Sequence, residues 1–184
     1  KVFFYAEFSK PFQNIEVIQK EKKIWENESK MMNIYARADF QTTKGEQVMM
    51  KVGISPVSME GACANLRAEM PDWNFDGTVA QAQRLWNDEL GRIRIKTSDP
   101  DVRKIFYTAL YHTMIAPSIF CDTDGAYRGA DGMTHENPGY NTHTTYSLWD
   151  TYRAAMPLYS IFQTERYTDM LQTMLAICDE QGKL

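Results

Sequence analysis

DPDVRKIFYTALYHTMIAP, residues 99–117 of the chain, predicts a long amphipathic helix. Asp99, or Ser98 before it, is a suitable N-cap, and Pro100 suits the first helical position, where its missing N–H costs nothing. Pro117 is expected to end the helix. The side chains that recur at helical spacing along one face are Val102, Ile105, Phe106, Ala109, Leu110 and Thr113. This pattern indicates a helix that packs one face against other helices.

The chain that follows this helix predicts a helical domain with one long connection. Residues 118–146 have no helical or strand periodicity, and two further helices are expected at Ser147–Phe162 and Glu165–Gln181. A connection of this length is uncommon in a compact domain unless it is functional. The alternation of short and long connections favours a helical toroid of which the chain contains the first few helices.

The chain that precedes the helix alternates in the manner of β-strands. Strands are predicted at Phe3–Phe8, Ile15–Ile18, Asn33–Phe40 and Val48–Ile54. In the third of these, Ile34, Ala36, Ala38 and Phe40 are expected to face inward. Lys44-Gly45 predicts a turn, and the charged segment Lys20–Lys30 predicts an exposed connection. The pattern is typical of part of an antiparallel sandwich.

Between the two regions, residues 58–97 predict a helical linker. Helices are expected at Ser58–Glu69 and Thr78–Leu90, followed by a short extended stretch at Arg92–Lys96. The second helix has an apolar stripe formed by Val79, Ala82, Leu85, Trp86 and Leu90. The expected fold class is therefore multidomain β + α, with the end of a β-sandwich at residues 1–57, the linker at 58–97 and an incomplete helical-barrel domain at 98–184.

Composition excludes several classes of protein. The 184 residues are 43% hydrophobic and 24% charged, with a net charge of −4, which fits a globular protein without a basic nucleic-acid surface. No apolar run approaches the roughly 18 residues of a membrane span. The chain begins inside a strand pattern and ends in a helix pattern, so both ends are expected to continue in a longer protein.

Two candidate sites have structural interpretations that the sequence favours. The run Asp122–Gly125 suggests a calcium loop, but the positions that an EF-hand would fill with a glycine and a glutamate hold Tyr127 and Met133. A turn held by aspartate side chains is the better interpretation. The three histidines, His112, His135 and His143, lie outside any known catalytic motif and are interpreted as structural. No nucleophile elbow, dinucleotide fingerprint or P-loop is present.

Two other segments carry side chains that suit a sugar. Tyr127–Gly132 places Arg128 and Asp131 in a glycine-rich loop, where the guanidinium is able to hold Asp131 or another acid in bidentate geometry. Ser147–Arg153 opens a helix directly after the long connection, with Trp149 and Asp150 in its first turn. An aromatic face and a carboxylate together suit the apolar side of a sugar ring and two neighbouring hydroxyls. The alternative for the first segment is an Arg–Asp pair that orders the loop. For the second it is an interior tryptophan, with Asp150 capping the helix or pairing with Arg153.

Several runs together resemble glycoside hydrolase family 92. They are IFYTALYHTMIAP from Ile105 to Pro117, DTDGAYRGAD from Asp122 to Asp131, and YSLWDTYR from Tyr146 to Arg153. Upstream, GEQV at Gly45–Val48 and KVGISPVS at Lys51–Ser58 are similar to the end of that family's sandwich domain. The resemblance covers essentially the whole chain and keeps the order of the motifs, which makes it far more specific than any single run.

The resemblance implies an exo-acting α-mannosidase with an N-terminal β-sandwich and an (α/α)6 barrel. Such enzymes invert the anomeric carbon, need Ca²⁺, and are typically exported by bacteria into the periplasm or the medium. It further implies that Trp149 and Asp150 line the subsite of the terminal mannose. Arg128 and Asp131 match the neighbouring loop motif and are the other two candidate sugar contacts.

The resemblance also implies that the residues that catalyse the reaction and bind Ca²⁺ are not among those of this chain. An inverting glycosidase needs an acid and a base about 6.5–9.5 Å apart, and these groups and the calcium ligands are expected beyond Leu184, so no catalytic or metal-binding residue is assigned here. The expected partner is a mannose-containing glycan, for which the resemblance implies α-1,2 linkage, and exposed barrel faces predict self-association of the isolated chain. A carbohydrate-binding module and a helical-barrel hydrolase or lyase acting on other glycans remain alternatives.

Overall fold

The computed structural model describes residues 2–23 and 30–183 and contains both β-strands and α-helices. The chain divides into two compact units. One comprises residues 6–51, and the other comprises residues 1–5 together with 52–184. None of the described helices is both long enough and apolar enough to cross a membrane.

Two sheets of two strands contain the first four strands. Strands β1 (Phe3–Phe8) and β4 (Met50–Ser55) form one sheet. The other consists of β2 (Asn14–Lys23) and β3 (Lys30–Asp39), which pair antiparallel from Asn14↔Asp39 to Lys23↔Lys30. All four strands were expected from the alternation, although β4 begins two residues later than predicted.

The predicted connection at Lys20–Lys30 is wrong at both of its ends, because strand pairing continues through Lys23 and resumes at Lys30. A β-ladder is held by backbone groups, so a charged sequence does not prevent it. The middle of this prediction, residues 24–29, lies outside the described residues.

The smaller unit is held by an aromatic cluster and a turn. The ring of Phe40 lies 5.3 Å from that of Phe8 and 6.4 Å from that of Phe12. The expected inward direction is therefore confirmed for Phe40, whereas Ala36 is exposed because none of the described residues buries it. The side chain of Ile34 lies outside the described part of the chain. The turn predicted at Lys44-Gly45 is confirmed, since Glu46 N donates to Thr43 O at 3.1 Å.

In the larger unit, helix α1 (Met59–Glu69) begins at the N-cap Ser58, whose hydroxyl accepts from Gly61 N. Helix α2 (Phe75–Leu90) begins three residues before the predicted start, because Asn74 caps it. The residues of the predicted apolar stripe lie on α2, but none of the side chains of this helix is buried by the described part of the chain. The stretch predicted as extended at Arg92–Lys96 is an irregular connection.

Helix α3 (Pro100–Thr113) begins as the sequence predicts, with Asp99 as N-cap and proline at the first position. It ends before Pro117, because Met114 N bonds to Tyr111 O in a tighter final turn. Of the predicted packing face only Leu110 is buried, and Ile105 is 69% exposed. The helix is amphipathic as expected, but few of the described residues pack against its apolar face.

The long connection contains four strands of two residues each, which the sequence did not reveal. Strand β5 (Ser118–Ile119) pairs with β8 (His143–Thr144), and β6 (Tyr127–Arg128) pairs with β7 (Thr134–His135). The second pair forms a hairpin inside the span of the first. These short ladders give the connection a defined backbone.

The helix predicted at Ser147–Phe162 is instead two helices, α4 (Leu148–Thr151) and α5 (Ala155–Phe162). Pro157 explains the break, since its ring excludes the helical hydrogen bond to the residue four positions earlier and restricts the residue before it. Helix α6 (Thr164–Gln181) matches its prediction closely. The core lies where α5 meets α6, around Met156, Tyr159 and Met170.

Candidate functional site

The start of the long connection is fixed by a buried carboxylate. Asp122, which is 5% exposed, accepts from Ser55 Oγ at 2.7 Å and from Asn65 Nδ2 at 2.8 Å. A Cβ on Gly61 would lie 2.3 Å from Asp122 Oδ2, so only glycine lets α1 approach this closely. The end of β4, helix α1 and the connection therefore meet at one carboxylate.

The amide of Asn65 completes this arrangement. Its Nδ2 also donates to Ile54 O at 2.9 Å, while its Oδ1 accepts from Thr123 N at 2.8 Å. In the turn that follows, Gly125 N donates to Asp122 O and Asp124 Oδ1 accepts from Ala126 N. The interpretation of this run as a turn held by aspartate side chains is therefore confirmed.

The β6–β7 hairpin contains the first pair of predicted sugar contacts. Arg128 Nε donates to Pro56 O at 2.8 Å, and a terminal nitrogen donates to Gly132 O at 2.6 Å. The predicted pairing of Arg128 with Asp131 is therefore wrong, because the guanidinium fork faces two backbone carbonyls. Arg128 holds the hairpin against the segment that follows β4.

Asp131 has a different partner, His135. The imidazole Nε2 lies 3.0 Å from Asp131 Oδ2 and 3.8 Å from Glu180 Oε1, at the end of α6. The backbone N–H of Met133, and next the imidazole, hold the pKa of Asp131 below its ordinary value. The histidine thus joins the hairpin to a carboxylate that is distant in sequence.

Tyr127 forms the other side of this cluster. Its ring stacks on His135 with centroids 5.1 Å apart, and its hydroxyl donates to Glu180 Oε1 at 2.8 Å. Burial raises the pKa of Tyr127 well above its ordinary value, and the negative charge of Glu180 raises it further. The phenol consequently stays protonated and donates to the carboxylate at neutral pH.

The second pair of predicted sugar contacts lies in the first turn of α4. Trp149 is 85% exposed, so its indole face is free to take an apolar surface. The hydroxyl of Ser147, the N-cap of this helix, donates to Asp150 Oδ2 and fixes the carboxylate. In the described part of the chain Asp150 Oδ1 has no hydrogen-bond partner. Two consecutive residues of one helical turn therefore supply an exposed aromatic face and an oriented oxygen acceptor.

The four predicted contacts thus fall into two groups. Arg128 and Asp131 share the hairpin, and Trp149 and Asp150 share α4, but no described hydrogen bond or ion pair links one group to the other. Sequence reasoning missed Asn65, Ser147 and Glu180. Only Ser147 had a local signal, since serine is a preferred residue at the N-cap position that precedes a helix.

Of the three histidines, which were interpreted as structural, His112 lies at the surface and His143 is buried. His112 is exposed on α3. His143 is 3% exposed, and its Nδ1 lies 2.8 Å from Asn141 O. Its Nε2 is buried without a partner among the described residues. Burial lowers the pKa of His143, so the ring is neutral at pH 7 and serves as a structural donor.

Comparison with protein families gives two matches that together cover most of the chain. The model of the glycosyl hydrolase family 92 N-terminal domain matches residues 1–55. The model of the glycosyl hydrolase family 92 catalytic domain matches residues 61–184. The junction between them falls just after β4 and at the start of α1.

Similar proteins agree with this match. The α-mannosidase BT3965 of family GH92 from Bacteroides thetaiotaomicron is 36% identical, with a TM-score of 0.87 over 98% of this chain and 25% of its own. Its complex with mannoimidazole gives 35% identity and the same TM-score over 98% of this chain and 24% of its own. A family GH92 hydrolase, ccman5, shares the fold at 24% identity, with a TM-score of 0.82 over 97% of this chain and 24% of its own.

A protein of Arthroderma benhamiae named as an uncharacterized secreted glycosidase is 29% identical over 111 residues, which are 58% of this chain and 13% of that protein. The chain therefore spans about a quarter of the length of the solved structures that it matches.

Proposed function

The chain belongs to glycosyl hydrolase family 92, and we propose that the protein removes terminal α-linked mannose from glycans. The proposal is supported by the 36% identity to a family GH92 α-mannosidase over 98% of this chain. Export from the cell is part of the proposal and is supported by the likeness to a secreted glycosidase.

The observation that carries the proposal is that Trp149 and Asp150, consecutive residues of α4, offer an exposed indole and an oriented carboxylate. Stacking on the 85% exposed indole suits the C–H face of a pyranose. The carboxylate, oriented by Ser147, suits a pair of neighbouring hydroxyls, which strengthen their hydrogen bonds when the acceptor is charged. These residues bind and orient the terminal ring. Whether Arg128 and Asp131 also contact the sugar stays a prediction.

The finer features proposed are α-1,2 linkage preference, inversion by single displacement, and Ca²⁺ dependence. Inversion requires a general acid and a general base on opposite sides of the bond, and we place both in parts of the protein outside this chain. Ca²⁺ takes six to eight oxygen ligands. The described residues do not fit it, because the carboxylates that cluster here surround an imidazole nitrogen, so no step is derived through the ion.

The architecture proposed for the protein is a β-sandwich followed by an (α/α)6 barrel. Helices α2 and α3 support it, since Leu85 and Ile105 on their apolar faces are 58% and 69% exposed in this chain. Further helices of a barrel would cover these faces and bury them. In the chain alone they favour self-association.

The test is release of mannose from α-1,2-mannobiose by the intact gene product, with and without a chelator. Asp150→Asn removes one charged acceptor worth about 1.5–3 kcal/mol, so kcat/KM should fall roughly 10- to 150-fold. Trp149→Ala removes stacking and apolar contact worth about 2–3 kcal/mol, with a loss of similar size.

Asp124→Asn is the matched control, because Asp124 is exposed and its bond to Ala126 N is one that asparagine also makes. It should retain full activity. Release of no mannose from any α-mannoside would refute the proposed reaction. Normal turnover by Trp149→Ala and Asp150→Asn would refute the site while leaving the reaction intact.

A further inference from the structure

The β6–β7 hairpin and the last turn of α6 bring together one imidazole and two carboxylates, of which only Asp131 is also a predicted sugar contact. One ligand atom each from Asp131, His135 and Glu180 lies within 4.8 Å of the other two. We propose that these three side chains bind a divalent transition-metal ion of the zinc class. The proposal concerns a site separate from the function of Trp149 and Asp150 and does not depend on it.

The distances between the ligand atoms fit an ion of this size. With metal–ligand bonds of about 2.0–2.1 Å in tetrahedral geometry, neighbouring ligand atoms are about 3.4 Å apart. His135 Nε2 lies 3.0 Å from Asp131 Oδ2 and 3.8 Å from Glu180 Oε1, on either side of that value. Shifts of a few tenths of an ångström would therefore place all three atoms in contact with one ion.

The chemistry of the donors selects the metal. Zinc accepts imidazole nitrogen and carboxylate oxygen together, and three protein ligands leave its fourth position for water. Calcium and magnesium prefer sets made of oxygen alone. One nitrogen and two carboxylates therefore favour Zn²⁺, or Co²⁺ as its spectroscopic substitute.

The ligands are already oriented by a second layer of hydrogen bonds, which metal sites need. Glu180 accepts from the Tyr127 hydroxyl at 2.8 Å on Oε1 and from Ala130 N at 2.6 Å on Oε2. Asp131 Oδ1 accepts from Met133 N at 2.8 Å, which leaves Oδ2 for the ion. The stacked ring of Tyr127 fixes the plane of His135.

Space and electrostatics also favour a cation here. A Cβ on Gly129 would lie 2.6 Å from His135 Nε2 and 2.7 Å from Asp131 Oδ1, so glycine keeps this side of the cluster open. Glu180 belongs to the last turn of the 18-residue helix α6. The negative end of the helix dipole attracts positive charge to this position.

The alternative is an ion pair in which a protonated His135 bridges the two carboxylates without any metal. Zinc titration of the chelator-stripped intact gene product, with metal counted by mass spectrometry, separates the two. The wild type should bind one more equivalent of Zn²⁺ than His135→Gln and than Glu180→Gln. Glu136→Gln, which changes an exposed acid next to His135, should bind as the wild type does.

Two further measurements sharpen the result. Co²⁺ bound at this site should give the visible absorption of a tetrahedral complex, and His135→Gln should abolish that absorption. Tyr127→Phe removes the hydroxyl that orients Glu180 and should lower the zinc affinity 10- to 100-fold. Circular dichroism of each variant separates loss of the site from loss of the fold.

Equal zinc stoichiometry in the wild type, His135→Gln and Glu180→Gln would overturn the proposal and leave the ion pair as the role of the cluster. A cobalt spectrum that all three proteins share would overturn it as well, because the bound ion would then lie elsewhere. Mannose release is not the readout, so failure of the proposed function leaves this result unaffected.

Discussion

Replacing Asp122 by asparagine should destabilise the protein far more than the loss of one charge suggests. Ser55 Oγ already accepts from Val57 N at 2.9 Å and from Ser58 N at 3.1 Å, so its single hydrogen is committed to Asp122. Asn65 Nδ2 likewise gives its two hydrogens to Ile54 O and to Asp122 Oδ1. Ser55 and Asn65 therefore both present a hydrogen-bond donor to Asp122, and neither presents an acceptor to it.

An asparagine at 122 must place its NH2 group against one of these two donors. One charge-assisted hydrogen bond, worth about 1.5–3 kcal/mol, is lost, and a buried donor is left unsatisfied at a cost of about 1–3 kcal/mol. Because the two losses overlap, the expected decrease in the free energy of unfolding is about 3 kcal/mol. Asp122→Ala, which also leaves a cavity, should cost at least as much.

Urea-induced unfolding of the intact gene product, followed by circular dichroism, measures this decrease. Asp124→Asn is the matched control from the same turn, and it should lie within about 0.5 kcal/mol of the wild type because asparagine keeps the bond to Ala126 N. A value for Asp122→Asn as close to the wild type as this control would refute the donor-saturation argument.

Two predictions concern pH. Burial lowers the pKa of His143; the charge of Arg166 adds a smaller decrease, and the charge of Asp169 opposes it. Below about pH 6.5 the unfolded chain therefore takes up a proton that the folded chain does not. Stability should fall as pH falls through this range, and His143→Gln should flatten that slope in urea titrations between pH 7 and 5; an unchanged slope would contradict the assignment. The Lys10 ammonium, together with the backbone N–H of Thr43, lowers the pKa of Glu46 to about 2. Lys10→Met should move the NMR titration of this carboxyl back toward its ordinary value of 4.5, whereas Lys44→Met, next to it in the turn, should not.

Features that depend on a few neighbouring residues were predictable from the sequence. Asp99 with Pro100 fixed the start of α3, Ser58 fixed the start of α1, and Lys44-Gly45 marked a turn. In each case a cap or turn side chain bonds to a backbone group two or three positions away. Such chemistry can be recognised without knowing what the segment packs against.

Other features depend on residues that the sequence does not bring together. Nothing near Glu180 indicates that it accepts from Tyr127, 53 residues earlier, or that Arg128 donates to Pro56 O, 72 residues earlier. Periodicity predicted the apolar faces of α2 and α3 but not their exposure, which depends on neighbours. The break before α5 was predictable from Pro157, and apolar periodicity on both sides of it concealed the signal.

The hydrogen bonds between the hairpin and Glu180 also determine when, during synthesis of the protein, the hairpin is held in place. The ribosome adds Glu180 53 residues after Tyr127, which at about 5–20 residues per second takes about 3–10 s. Throughout this interval Pro56, Ser55 and Asn65 are already available, so Asp122 and Arg128 have their partners before Tyr127 does. The hairpin of the nascent chain should therefore become less sensitive to protease once the final turn of α6 has been made.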